Sequence, residues 1–127
     1  MAERVFLALQ TLIWLPYGIL CFFAPDFPAS SAGLSATSAT ATTELRAMYG
    51  GLQLGIGVLT ALAFVRPPLR RPALVLLLVA GTGLGVARLL GALLDGGFSA
   101  YTNGAIVFEL ATAGFAAWLL QREKASA

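Results

Sequence analysis

The sequence predicts an all-α membrane protein: one domain, residues 1–127, forming a four-transmembrane-helix bundle with both termini cytoplasmic. Three observations carry this expectation. Of 127 residues, 58% are hydrophobic and only 11% are charged, where a soluble domain of this size carries about 25% charged residues. Apolar runs of spanning length, about 17–25 residues, recur four times, at 5–23, 44–65, 73–94 and 101–120. If all four cross, Arg4, Arg66, Arg70, Arg71, Arg122 and Lys124 fall on one side, and the positive-inside rule makes that side the cytoplasm.

The first run, 5–23, carries Trp14, Pro16 and Tyr17 in its second half. Pro16 removes a backbone donor and is expected to bend the helix, and Tyr17 brings a hydroxyl into its outer part. A cleaved secretory signal is the competing reading, because small residues follow at Pro28-Ala-Ser-Ser-Ala32. Against it, the segment before the run is barely positive and the run exceeds the roughly 7–15 residues of a signal core. Charge bias alone does not separate the two, since the last three spans would keep the same orientation.

Residues 24–43 break the pattern with Pro25, Asp26, Pro28 and a Ser/Thr/Ala/Gly tract. They predict an extracytoplasmic loop, either solvated or folded back as a partly ordered cap; Phe27, Leu34 and the alanines favour the cap. Thr42 or Thr43 is placed to cap the next helix, with Glu44 near its positive end. The second span, 44–65, ends at the stiff basic turn Arg66-Pro-Pro-Leu-Arg-Arg-Pro72, and Pro72 suits the first turn of the third helix. That helix, 73–94, stops at Asp95-Gly-Gly. The fourth span, 101–120, leads into the charged tail Gln121-Arg-Glu-Lys124.

Composition also restricts chemistry. Histidine is absent and the single cysteine, Cys21, lies in an apolar run. The usual ligands of zinc, haem and iron–sulfur clusters are therefore missing, and no cofactor or metal is expected. A net charge of +2, concentrated in membrane-flanking loops, gives no basis for nucleic-acid binding. Gly81-Thr-Gly-Leu-Gly-Val looks like half of a dinucleotide fingerprint but lies inside a span with no preceding strand.

Candidate site residues come from charges inside apolar runs, which are expensive unless answered. At 1.5 Å per residue, Arg88 lies roughly 9 Å below the outer end of span three and Glu109 roughly 12 Å below that of span four. Arg46 and Glu44 stand at the outer mouth of span two, with Tyr49 and Gln53 deeper. Arg46, Tyr49, Gly50, Gln53 and Gly57 share one helical face, as do Gly81, Gly85, Arg88, Ala92 and Asp95 on span three and Ala105, Glu109, Thr112 and Ala116 on span four. Each polar face is also a small-residue face, so the three are expected to point at one another. Gly51-x-x-x-Gly55 and Gly81-x-x-x-Gly85 match the small-xxx-small pattern of close helix packing. The expected result is an outer-leaflet cluster of Arg46, Tyr49, Gln53, Arg88 and Glu109, with Glu44, Tyr17 and Asn103 nearby.

These residues also carry a family resemblance. Glu44-Leu-Arg-Ala-Met-Tyr-Gly-Gly-Leu-Gln-Leu-Gly-Ile-Gly, Arg88-Leu-Leu-Gly followed by Asp95-Gly96, and Glu109 resemble a bacterial family of small membrane proteins, domain of unknown function 4345. The resemblance runs from Pro25 to the tail. It implies a four-helix bundle similar in outline to DoxX-like proteins, in the bacterial cytoplasmic (inner) membrane, and supplies no activity. The Ser/Thr-rich insert before Glu44 is longer than the family pattern leads one to expect.

Three functions follow from the residues. In the first, the protein is structural or accessory, alone, as a homo-oligomer or in a larger membrane complex, and the cluster fixes helix packing among membrane lipid. In the second, the cluster binds or transports a lipid headgroup, quinone-like molecule or small anion. In the third, Glu109 is the acid/base of a membrane enzyme; no nucleophile–base pair, metal set or nucleotide loop supports it.

Overall fold

The structure, a computed structural model, describes residues 1–125. Among them all regular structure is helical: α1 (Ala2–Phe23), α2 (Asp26–Ser31), α3 (Ala39–Leu45), a π-helical segment (Arg46–Gly51), α4 (Leu52–Val65), a 3-10 turn (Pro67–Leu69), α5 (Arg70–Asp95) and α6 (Ala100–Ala125). Four stretches are long and apolar enough to cross a membrane: Ala2–Phe23, Ala39–Val65, Pro67–Asp95 and Ala100–Arg122. Of the basic residues expected on one side, the Lys124 side chain lies outside the described residues.

The chain forms two compact units, Met1–Arg70 and Arg71–Ala127. In the first, α1 runs unbroken through Pro16 and packs antiparallel to α4. Glycine makes this contact close, and reciprocally. A Cβ on Gly18 would stand 2.5 Å from the Leu54 backbone nitrogen, and one on Gly57 would stand 2.6 Å from that of Leu15. At the far end, a Cβ on Gly50 would meet Phe22 at 2.9 Å. Each helix offers a notch and the other fills it with backbone.

The second span begins earlier than its composition suggests. Ser38, not Thr42 or Thr43, is the cap: its hydroxyl accepts from the Ala41 N–H at 3.1 Å. The Thr42 and Thr43 hydroxyls donate back to the carbonyls of Ser38 and Ala39, the habit of threonine inside a helix rather than at its start. A stretch of 27 residues extends roughly 40 Å, beyond the roughly 30 Å hydrocarbon core. The Thr-rich first turns account for the excess. The preceding connection is ordered in part. Within it α2 buries Pro28 and Ala29, and Gly33, at φ 72°, closes it with bonds from the Gly33 N–H to Ser30 and from the Leu34 N–H to Ala29. This is the Schellman arrangement.

The second unit is a helical hairpin. Pro72 falls in the first turn of α5, and α5 ends where Asp95-Gly-Gly predicts. Gly96 takes φ 67° and the Gly97 N–H bonds the Ala92 carbonyl. Ser99 then caps α6, its hydroxyl accepting from the Thr102 N–H at 3.1 Å. Gly81 and Gly85 are buried on α5 and face α6, where a Cβ would meet the Glu109 carbonyl oxygen at 2.8 Å and Leu110 at 2.7 Å, respectively.

Candidate functional site

The sequence-selected residues fall into two groups, one per unit. Arg88 and Glu109 form the second group. They lie at matched depths on adjacent antiparallel helices joined by a short loop, so equal distances from that loop bring them together. The guanidinium grips the carboxylate in two places: Nη2 donates to Oε1 at 2.8 Å and Nε to Oε2 at 3.1 Å. This fork-to-fork geometry is the strongest that an arginine and a carboxylate make. Burial is unequal. The Glu109 side chain keeps 7% of its exposure and that of Arg88 keeps 28%. The Arg88 guanidinium also lies 5.9 Å from the centre of the Tyr101 ring, within the range of cation–π attraction. Thr112, one turn below Glu109, is buried as well. The approach that allows the pair is made by Gly81 and Gly85, so the glycine face and the charged face of α5 do one job.

The first group is Tyr17, Glu44, Arg46, Tyr49 and Gln53. Arg46 is exposed, and its Nε donates to the Phe22 carbonyl at 3.1 Å. Phe22 belongs to the last turn of α1, whose carbonyls have no donors of their own. Arg46 thus caps α1 from another helix and brings a cation to its negative end. Tyr17 is half-buried on α1, one turn before the buried Cys21. Glu44 is exposed, Tyr49 is half-buried, and the buried Oε1 of Gln53 has no hydrogen-bond partner among the described residues. All of these belong to the first unit and neither Arg88 nor Glu109 does.

The small-residue face of span two meets a different neighbour from the one expected. The sequence points Gly50 and Gly57 toward spans three and four, but both lie against α1. The reason is complementarity: α1 carries Gly18, so it alone in this unit offers a notch to match. Gly51 and Gly55, the small-xxx-small pair, take no part. Nothing lies within 4 Å of a Cβ on Gly55, and a Cβ on Gly51 would lie 3.9 Å from the Arg46 carbonyl oxygen. The Gly81/Gly85 pair does pack as the pattern implies.

Three further features of the first unit lie outside the sequence-based expectations. In α1 the Trp14 indole Nε1 donates to Gln10 Oε1 at 2.8 Å, one turn apart, and Gln10 is 4% exposed. Between α1 and α4, the Thr11 and Thr60 hydroxyls are 3.0 Å apart, and Thr60 donates onward to the Gly57 carbonyl. The signal was available: Gln10 and Thr60 are polar residues within apolar runs. The third feature is the π segment. The Leu52 N–H bonds the Ala47 carbonyl, five residues back, at the Tyr-Gly-Gly part of the motif. Such bulges recur at functional positions and have no sequence period that announces them.

Among the described residues no group of three or more His, Cys, Asp or Glu side chains is placed to hold a metal ion. A family model described as Domain of unknown function (DUF4345) matches residues 2–120. No curated protein and no solved structure matches the chain.

Proposed function

The chain belongs to the DUF4345 family, and on that premise we propose that it is a small integral membrane protein of structural or accessory type. In this reading it sits in the bacterial inner membrane as a four-helix bundle with both termini cytoplasmic. The observation that carries it is the use made of the arginines. Arg88 is bound in two places to Glu109, and Arg46 closes the end of α1. Each ties one helix to another, as packing requires.

The test replaces the pair with Arg88→Leu/Glu109→Leu. A staple predicts a protein that inserts and melts like the parent, because two matched leucines fill the same space without stranded charge. A double variant that folds but loses a co-purifying molecule would assign the pair to a site instead. A reporter fused after Lys124 tests the topology: it should be active only as a cytoplasmic fusion.

One observation favours the second reading, a binding protein. The Gln53 carbonyl oxygen is buried without a donor, and a buried acceptor left unpaired costs about 1–3 kcal/mol. A hydroxyl or amide of a lipid headgroup would satisfy it. Under that reading Gln53→Leu abolishes a co-purifying ligand and leaves melting unchanged.

A further inference from the structure

Beyond its packing role, the first unit has a groove with chemistry of its own, at the end opposite to Arg46. Met1, Arg4, Val5, Ala8 and Leu9 of the first turns of α1, with Phe64 of the last turn of α4, line a groove of about 520 Å³. That volume falls within the roughly 300–1,000 Å³ of ligand pockets. Its walls are apolar, and Val5 and Leu9 keep 54% and 53% of their exposure. Its one charged lining side chain is Arg4.

The position of Arg4 is informative. It stands two residues into a helix of 22 residues, which extends roughly 33 Å and so matches the hydrocarbon thickness of about 30 Å. Arg4 therefore lies at headgroup depth, while Leu9 lies one and a half turns deeper, at acyl depth. The guanidinium sits 5.1 Å from the centre of the Phe64 ring. A stacked guanidinium is held by its face and keeps its edge of N–H donors for a planar or tetrahedral oxyanion. No hydrogen bond or ion pair occupies those donors among the described residues. Two residues beyond Phe64 comes Arg66, which is exposed.

We infer that this groove is a binding site for an anionic phospholipid, its phosphate on the Arg4 edge and an acyl chain along Val5, Ala8 and Leu9. Charge complementarity selects the headgroup. The apolar wall below the cation selects a lipid over a free phosphate, which would gain nothing from Leu9.

The experiment uses the full chain in nanodiscs of equal phosphatidylglycerol and phosphatidylcholine, with retained lipids counted by native mass spectrometry. The parent should retain phosphatidylglycerol in preference. Arg4→Gln should lower that preference about fivefold, the size expected for one arginine near an anionic surface. Leu9→Trp should reduce the total lipid retained by filling the groove, without changing the preference among what remains. Equal retention of both lipids by the parent, or an Arg4→Gln variant as selective as the parent, overturns the inference. Should Arg4→Gln fail to insert, Leu9→Trp decides alone, and unchanged retention there also overturns it.

Discussion

Gly55 and Gly57 lie two residues apart in α4 and predict opposite outcomes when changed to alanine. At Gly57 the new Cβ would sit 2.6 Å from the Leu15 nitrogen and 2.9 Å from the Leu15 Cα. Both are backbone atoms, so no side chain can swing away. Reaching the 3.4 Å at which ordinary contact begins requires a displacement of about 0.8 Å. A gap of 0.5–1 Å forfeits roughly a quarter to a half of the dispersion well for every atom pair it affects. The helices are stiff, so the displacement extends to the neighbouring notches, where Gly18 meets Leu54 and Gly50 meets Phe22, and to the 3.0 Å Thr11–Thr60 hydrogen bond. Overpacking costs typically 1–3 kcal/mol; with backbone on both sides, about 3 kcal/mol is expected. At Gly55 nothing lies within 4 Å, and alanine should stabilise the helix by about 0.5–1 kcal/mol. The two variants should therefore differ by roughly 4 kcal/mol. Denaturation of the solubilised protein, followed by Trp14 fluorescence in a Trp118→Phe background, reads the first unit directly. A Gly57→Ala protein as stable as Gly55→Ala would refute the close α1–α4 contact.

Three further outcomes test other parts of the fold. Arg88→Leu strands a buried carboxylate and should cost about 3 kcal/mol, the low end for a broken buried pair, because Arg88 is itself partly exposed. Glu109→Leu should cost less, since the longer Arg88 side chain can carry its charge toward the interface; a double-mutant cycle showing less than about 0.5 kcal/mol of coupling would remove the pair from the account. Ser38→Ala should cost about 1 kcal/mol as a lost cap and speed hydrogen exchange at the Ala41 amide, while Thr43→Ala should stay within about 0.5 kcal/mol. Arg46→Ala should lower the melting temperature slightly, by the 0.3–1 kcal/mol of a cation at a helix C-terminus, and Arg46→Lys should recover most of that.

The sequence was most informative where only local rules applied. Four apolar runs announced four helices, Asp95-Gly-Gly announced the end of α5, and depth counting across a short loop brought Arg88 to Glu109. It was least informative where several partners satisfied the same rule. Ser38, Thr42 and Thr43 are all capable caps, and the choice among them fell to the residue where helical backbone could begin; nothing in the composition of a Ser/Thr tract fixes that point. The small face of span two is complementary to any helix with a notch of its own, and Gly18 supplied that notch in span one. Periodicity reports which residues share a face. It does not report which neighbour the face meets.

The Glu44-Leu-Arg-Ala-Met-Tyr-Gly-Gly motif is where these limits converge. Its charged opening and its glycines invited a reading as one wall of a ligand site. In the structure the motif changes helix type at Arg46–Gly51, and two of its residues, Arg46 and Gly50, address α1. Arg46 bonds the Phe22 carbonyl, and a Cβ on Gly50 would strike Phe22 itself. A π turn bonds five residues back rather than four, which takes up one extra residue within the turn. Here that residue lies between the capping arginine and the α4 stretch whose Gly57 meets Leu15. The unusual turn and the paired glycines thus have a common mechanical sense: they let one helix both cap the end of its neighbour and pack closely along its side. The same economy explains why Gln53 stands out. It is the one residue of the motif face with a buried polar atom that packing leaves unanswered, and the place where the accessory and binding readings part.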